Sequence, residues 1–355
     1  MVRLAREARG LTQTALASEA GVSQAYISQV ENGDREPDPV QTDRIAEALD
    51  RPVTFFTQAD PITRGGISDF YHRKRSTAGK RDLNQIHAGA NVLRMEIARL
   101  LELVDVEPEI PIPDFDPAEF DSATEVARAC RATWRLPRGP VHNMVELLER
   151  TGAVVAIRDL PSRKLDAVTQ WHRSTPIVVL NAAYPASRMR WTLAHELGHL
   201  VMHRTPADPS EAERDADEFA AEFLMPADDI LESLRSHRLT LERAVNLKQH
   251  WRTSMAAIAR HANRLGAITD RQYRTFFTEK NKRGYSKNEP GEFDREEPAL
   301  ARQMIEALVS SGWTITKIAE HLNTPEREIR VHYLGEAAPP RLKVVRTDEP
   351  PTLFE

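Results

Sequence analysis

The sequence predicts an α+β chain: an all-α N-terminal domain, a middle domain built on a small three-stranded antiparallel sheet, and a helical C-terminal region. Three observations lead there. Apolar residues recur at helical spacing through residues 1–60, again from Asn84 to Leu103, and through much of 241–335. Three short runs between 152 and 181 are instead β-branched and bounded by Pro, Ser, Asp and Asn. Between these regions, residues 102–125 carry nine acidic groups, no basic group and four prolines, a composition that opposes helix and marks a boundary. At 355 residues and 41% hydrophobic, the chain is long enough for two or three domains with at least one sizeable core.

Charge and cysteine usage narrow the class. A net charge of −5 argues against generalised nucleic-acid binding, although the local balance varies strongly. The one cysteine, Cys130, cannot form an internal disulfide, which points to a reducing, cytoplasmic setting. The N-terminus MVRLAREARGLTQ lacks the apolar core of a signal peptide, and no apolar run approaches the roughly 18 residues of a membrane span, so no membrane partner is expected.

Residues 1–60 read as short helices broken by polar turns. Leu16, Ala17 and Ala20 form one apolar face, Gly21 permits a tight turn, and Ser23 can cap a second helix that turns Ile27 and Val30 inward. That is a helix-turn-helix, with Gln24, Ala25, Ser28 and Gln29 outward on the second helix. It resembles the Xre or phage-repressor type of DNA-binding domain across 1–60. In that family the position of Gln13 often meets a phosphate; with Ser23, Gln24, Ala25, Ser28 and Gln29 it makes up the expected DNA-binding set. Against this, six Arg and ten Asp or Glu give 1–60 a charge of −4, poor for tracking phosphates and compatible with binding a protein instead.

Residues 61–120 form the connection. Residues 61–81 invert the charge, with six Lys or Arg against one Asp, which suits a phosphate backbone or a solvated linker. A helix from Asn84 to about Leu103 follows, its apolar stripe suited to core packing or to a homodimer. The acidic, Pro-rich stretch completes the connection, with the domain boundary between 105 and 120.

The next domain, 121–240, opens with helices at about 123–134 and 141–151, the second ending before Gly152 as a C-cap. The runs from Gly152, Asp166 and Pro176 are the three strands; their short connections predict an antiparallel sheet. Ser187 or a neighbour should cap the helix that follows.

That helix carries His195-Glu196-x-x-His199. Residues four apart lie roughly 40° apart around a helix, so His195 and His199 share a face and can hold one metal ion. Glu196 is placed to take a proton from an attacking water, and the spacing is that of a zinc hydrolase helix. Gly198 inside the helix costs roughly 1 kcal/mol relative to Ala, which suggests that another element approaches closely there. A catalytic zinc usually has three protein ligands. Glu213 is the favoured third, on a helix that puts Asp217 on the same face; Glu211, Asp215, Glu218, Glu222 and His203 are alternatives. Glu-x-x-x-Asp after His-Glu-x-x-His is similar to the thermolysin-like gluzincin pattern, in which the Asp fixes a ligating His ring. His172, Tyr184 and His203 are candidates to stabilise an oxyanion, and Val168 to Trp171 is a candidate strand for pairing with an extended substrate.

The segments IVVLN, RMRWTLAHELGHLVMH and ERDADEFAAEFLMP, in that order, resemble the ImmA/IrrE family of metallopeptidases over about 120–235. Asp217 and Glu218 stand where that family commonly has an Asn and a non-acidic residue. The resemblance implies a zincin-like metallopeptidase domain with one zinc per chain on His195, His199 and Glu213, Glu196 as catalytic base, and Asp217 orienting a ligand. Its implied partner is a protein substrate: a DNA-binding repressor or antitoxin-type protein cut in a stress or mobile-element response. A transcriptional regulator or antitoxin whose peptidase-like domain binds a partner without cutting is the alternative.

Residues 241–335 are expected to be helical. The stretch 248–288 holds ten Lys or Arg against two acids, and its charge suits a salt-sensitive clamp on the acidic linker. TSMAAIARHANRLGAITDRQYRTF and TITKIAEHLNTPEREIRVHYL repeat the helix, turn, helix rhythm of the N-terminus, as packing modules or as DNA or partner binders. Residues 336–355 are expected to be a disordered tail.

Overall fold

The computed structural model describes residues 1–58, 79–116, 119–203, 208–235 and 237–336. The expectations for most of the basic stretch 61–81 and for nearly all of the tail fall outside the described residues.

Four helices begin the chain: α1 (Val2–Ala8), α2 (Gln13–Ala20), α3 (Gln24–Asn32) and α4 (Pro39–Leu49). Local chemistry sets their ends. Thr12 and Ser23 accept hydrogen bonds from Ala15 N and Tyr26 N at the starts of α2 and α3. Gly21, at φ 66°, closes α2 in the left-handed region that a side chain disfavours. Leu4, Leu16, Ala17, Ala20, Ile27, Ile45 and Leu49 form their core.

This core is completed by Ala88, Val92 and Met95 of the long helix α5 (Lys80–Leu103). Another stripe of α5, with Ile86, Leu93, Ile97 and Leu100, packs into a second core with one face of the sheet and with the last helices of the chain, through Ile305, Ile318 and Ile329. Both apolar stripes of α5 are therefore satisfied within one chain. Helices α6 (Ala123–Thr133) and α7 (Met144–Glu149) precede the strands β1 (Val154–Arg158), β2 (Ala167–His172) and β3 (Thr175–Asn181).

The sheet is mixed, which corrects the antiparallel expectation. Its order is β1-β3-β2: β2 pairs antiparallel with β3, and β1 pairs parallel with β3. The Arg173–Ser174 turn makes β2 and β3 a hairpin, but the connection 159–166 carries the chain past β3 to its far edge. The antiparallel reading assumed that successive strands are neighbours, and β1 and β2 are not. Buried β3 is central, as its near-continuous apolar run suits. Val155, Ala167, Val178 and Leu180 face the core shared with the metal-motif helix. Val154, Ala156, Val168, Ile177 and Val179 face α5.

Three helices follow: α8 (Ala186–Met202), α9 (Pro209–Leu224) and α10 (Ala227–Arg235). The core does not break at 240. Leu241, Ala244 and Trp251 of α11 (Leu241–Trp251), Met255, Ile258 and Ala262 of α12 (Met255–Arg264), and Phe276 of α13 (Asp270–Lys282) join the same cluster as α8 and α9.

Two lysines of this region, Lys248 and Lys280, are buried and find partners other than the acidic linker. Buried Lys248 pairs with Glu289 at 3.3 Å and Glu292 at 2.6 Å, and Lys280 with Glu289 at 3.2 Å. Glu109 of the linker pairs with Arg150 at 2.7 Å. A second acidic stretch, residues 289–296, straps three helix starts, where backbone N–H groups lack intrahelical partners. Glu289 accepts from Met255 N, Glu292 from Ser187 N and Oγ, and Glu296 from Met144 N and Val145 N. Ser187 is thus not the side-chain cap of α8: Pro185 holds the N-cap position, and a carboxylate 105 residues away does the capping.

Helices α14 (Leu300–Ser310), α15 (Ile315–Leu322) and α16 (Glu326–His332) close the described chain. They dock on α5 and on the N-terminal helices through charge as well as apolar contact. Arg51 meets Glu96 at 3.2 Å and Glu328 at 2.9 Å, Tyr333 donates to Glu96 at 2.6 Å, and Arg327 meets Asp50 at 2.6 Å. Of the two readings of this helix pair, internal packing is the one its buried faces display.

Candidate metal centre

The site is assembled by α8, α9 and β2. Almost every residue of α8 is buried, so its polar side chains are held in fixed surroundings. Helix α9 begins at Asp208, whose carboxylate accepts from Ser210 N and Glu211 N, and it lays Ala212, Ala216 and Ala220 against its neighbours with no exposed surface. The expected close approach occurs at Gly198: a Cβ there would lie 3.2 Å from Ala216 Cα and 3.2 Å from Phe219 Cδ1. Small residues on both helices bring Glu213 over the two histidines.

His195, His199 and Glu213 each offer a ligand atom, all within 4.8 Å of one another. His195 Nε2 and His199 Nε2 are 3.1 Å apart, His199 Nε2 lies 3.4 Å from Glu213 Oε1, and His195 Nε2 lies 3.8 Å from Glu213 Oε2. Ligands about 2.0–2.1 Å from a tetrahedral ion sit about 3.3 Å from each other, so the donor set fits zinc. The alternatives for third ligand, Glu211, Asp215, Glu218, Glu222 and His203, are not in this group. Glu222 instead takes Arg128 at 2.8 Å.

Both rings are oriented from behind. His195 Nδ1 lies 2.9 Å from Asp217 Oδ1, so its N–H donates to the carboxylate and leaves Nε2 free of a proton. Burial depresses the His195 pKa, but the Asp217 hydrogen bond and the charges of Glu196, Asp217 and Glu213 outweigh it and the net shift is upward. His199 Nδ1 lies 3.0 Å from His203 Nδ1. Burial first, and then the two neighbouring histidines, push His203 down to about 4, which keeps it neutral and able to accept from His199. Of the oxyanion candidates, His203 thus backs a ligand. Tyr184 donates to the carbonyl of Arg163 and stacks under Arg188, whose guanidinium lies 4.1 Å from the ring centre. His172 ends β2, in register with Thr175.

Glu196 is fully buried beside the first ligand, and Thr169 Oγ1 donates to its Oε2 at 2.7 Å. Reasoning from sequence missed Thr169. Its one signal was its place in the segment Val168 to Trp171, which the structure confirms as part of a sheet edge.

The N-terminal helices present a second surface. Gln24, Ala25 and Gln29 are exposed on α3 and Ser28 is half-buried. Gln24 donates to Gln13 Oε1 at 2.7 Å, and Gln13 donates to Glu31 at 2.9 Å, so the two glutamines are held as a pair. The Ser23 hydroxyl accepts as the α3 cap. Lys80 and Arg81, from the first turn of α5, line a hollow of about 560 Å³ with Gln13 and Gln24 and place positive charge beside the acidic N-terminal helices.

A His-His-Glu donor set, its histidines on a His-Glu-x-x-His helix and its glutamate on the next, defines a metallopeptidase-type site, here joined to a helix-turn-helix unit. Comparison with known families agrees: residues 148–263 match the peptidase family model described as the IrrE N-terminal-like domain, and residues 2–56 match a helix-turn-helix model. The chain therefore carries an Xre-type helix-turn-helix domain followed by an IrrE N-terminal-like peptidase domain. No curated protein matches the chain. No helix among the described residues is long and apolar enough to cross a membrane.

Proposed function

We propose that this chain is a zinc-dependent, site-specific endopeptidase coupled to DNA binding, and that it cleaves a transcriptional repressor or similar regulatory protein in a stress or mobile-element response. The observation that carries the reading is Glu196: a fully buried carboxylate held by Thr169 beside three converging metal-ligand atoms. A structural metal site would give that carboxylate no task, whereas hydrolysis requires a base there. His195, His199 and Glu213 would hold the ion, and Asp217 sets the His195 ring. When bound, zinc supplies the Lewis acid that lowers the pKa of a coordinated water towards about 7. Glu196 accepts the proton of the attacking water and passes it to the leaving amine. The edge strand β2 offers Val168 to Trp171 for antiparallel pairing with an extended segment of substrate. Gln13, Ser23, Gln24, Ala25, Ser28 and Gln29 form the surface that would read DNA.

The test compares cells expressing the wild type with cells expressing Glu196→Gln. The variant should retain zinc, and one regulatory protein should vanish from wild-type cells but persist in the variant. If the biological output is the same in both, a regulator that binds without cutting becomes the correct reading.

A further inference from the structure

The cleft at the metal centre has one wall that lies outside the stretch matched to the peptidase family. It is an open slot of about 540 Å³. Pro108, Pro111 and Ile112 of the acidic, Pro-rich connection line it together with Trp171, Leu200 and the metal ligand His199, and Thr151, Thr169, Arg173, Ser174 and His203 complete the lining. The connection is seated at several points. Glu109 N and Ile110 N donate to the Arg150 carbonyl at 2.9 and 3.2 Å, and the Trp134 indole donates to the Pro111 carbonyl at 2.9 Å. Pro108 rests on Gly152, with its Cγ 3.0 Å from where a Cβ would be. Prolines lock φ and offer no N–H, so this wall is stiff and presents mostly carbon to the slot.

Resting on the peptidase reading, we propose that residues 108–112 set cleavage specificity, forming with Trp171 and Leu200 a subsite for a large apolar side chain next to the scissile bond. The occupant follows from position and chemistry. A slot that His199 helps to line is next to the bond to be cut, and its apolar lining (two prolines, isoleucine, tryptophan and leucine) takes a large apolar side chain, with Arg173, Ser174 and Thr151 left for the polar backbone on either side. Pro108 and Pro111 are exposed and Ile112 half-buried, so the wall is open to a ligand. Because it is already held in place, filling it orders no loop, and the apolar contact goes into binding. The acidic residues of the connection, such as Glu107 and Glu109, lie along the chain rather than in the slot lining.

Amino-acid hydroxamates test this without any turnover, since the hydroxamate anchors on the metal and the side chain probes the slot. Binding of glycine, alanine, leucine and phenylalanine hydroxamates to the zinc-loaded full chain is measured by calorimetry. Leucine and phenylalanine hydroxamates should bind about tenfold tighter than glycine hydroxamate, the gain from partly burying one such side chain. Pro111→Asp, at an exposed position whose carbonyl still accepts from Trp134, should remove most of the difference between the leucine and glycine compounds, and Ile112→Ala should reduce it. A flat series in the wild type, or a preference untouched by both substitutions, overturns the proposal while leaving the metal centre intact. Failure of glycine hydroxamate to bind overturns the metal-site reading and the proposal with it.

Discussion

Replacing Gly198 by Ala sets two effects of similar size against each other, and the structure says which should dominate. Alanine in a helix interior is favoured over glycine by about 1 kcal/mol. Against this, the new Cβ would lie 3.2 Å from Ala216 Cα, 3.2 Å from Phe219 Cδ1 and 3.3 Å from Phe219 Cβ. Comfortable carbon contacts are about 3.5–4.0 Å, so α8 and α9 must part by about 0.4 Å. Ala216 Cα is backbone in the interior of α9 and cannot step aside alone. Overpacking of this kind costs about 1–3 kcal/mol, so the apo protein should be destabilised by about 0–2 kcal/mol. The larger effect should fall on the metal. Glu213 lies one turn before Ala216 on the same helix, and metal–ligand distances tolerate only about 0.2 Å. A shift of α9 should weaken zinc binding by at least about tenfold, or about 1.4 kcal/mol. Competition with a chromophoric chelator measures the affinity, and thermal unfolding with excess chelator measures the apo stability. A variant that is about 1 kcal/mol more stable than wild type with unchanged zinc affinity would refute the packing argument.

Two further perturbations address the supports of the site and its surrounding core. Asp217→Ala removes the acceptor for His195 Nδ1 from a side chain that is 44% exposed, so folding should survive while zinc affinity falls about 10- to 100-fold; equal affinity would deny Asp217 its orienting part. His261 concerns pH. Its Nε2 bonds the Met225 carbonyl at 2.9 Å, and burial pushes its pKa from 6.5 down to about 4. The unfolded chain therefore takes up this proton first: the contribution to stability is complete above the unfolded pKa of 6.5 and is lost as pH falls towards 4. The full loss is on the order of 3 kcal/mol. His203 titrates over the same window. The measure is thus the difference between wild type and His261→Gln in chelator, where the variant should show the shallower decline from pH 6.5 to 4. Identical slopes would mean that His261 is not held neutral.

What was legible in the sequence was local. His195 and His199 follow from helical spacing, Gly198 announces a close neighbour, and Gly21 and Ser23 punctuate the first helices, because each depends on residues within one or two turns. Glu213 and Asp217 were within reach because they share a helix face a short distance on. The strand order was not legible: nothing within 159–166 says which edge of β3 the returning chain will take. Thr169 looked like ordinary strand composition, since its bond to Glu196 depends on the strand facing α8. The capping of α8 by Glu292 and of α7 by Glu296 spans 105 and about 150 residues, and an acidic stretch in a sequence cannot say which cations or helix starts it will meet. The basic stretch 248–288 divides for the same reason: Lys248 and Lys280 are buried partners of that strap, whereas Arg260, Arg264, Arg271 and Arg274 are exposed.

The two functional surfaces are mechanically joined through α5 and β2. Neighbouring residues on a strand point to opposite faces. Val168 packs in the core that includes α5, and Thr169, beside it, holds Glu196. At its other end α5 floors the N-terminal helices with Ala88, Val92 and Met95 and brings Lys80 and Arg81 beside Gln13 and Gln24. The junction is further fixed by Arg51, Glu96 and Glu328, a charge cluster in which removal of one partner would strand the others away from water at a cost of about 3–5 kcal/mol. A helix that shares its core with both units, and is tied to the N-terminal one by the Glu96–Arg51 pair, cannot tilt at one end without loading the other. The position of Glu196 in the metal centre is therefore set partly by the same helix on which the helix-turn-helix rests.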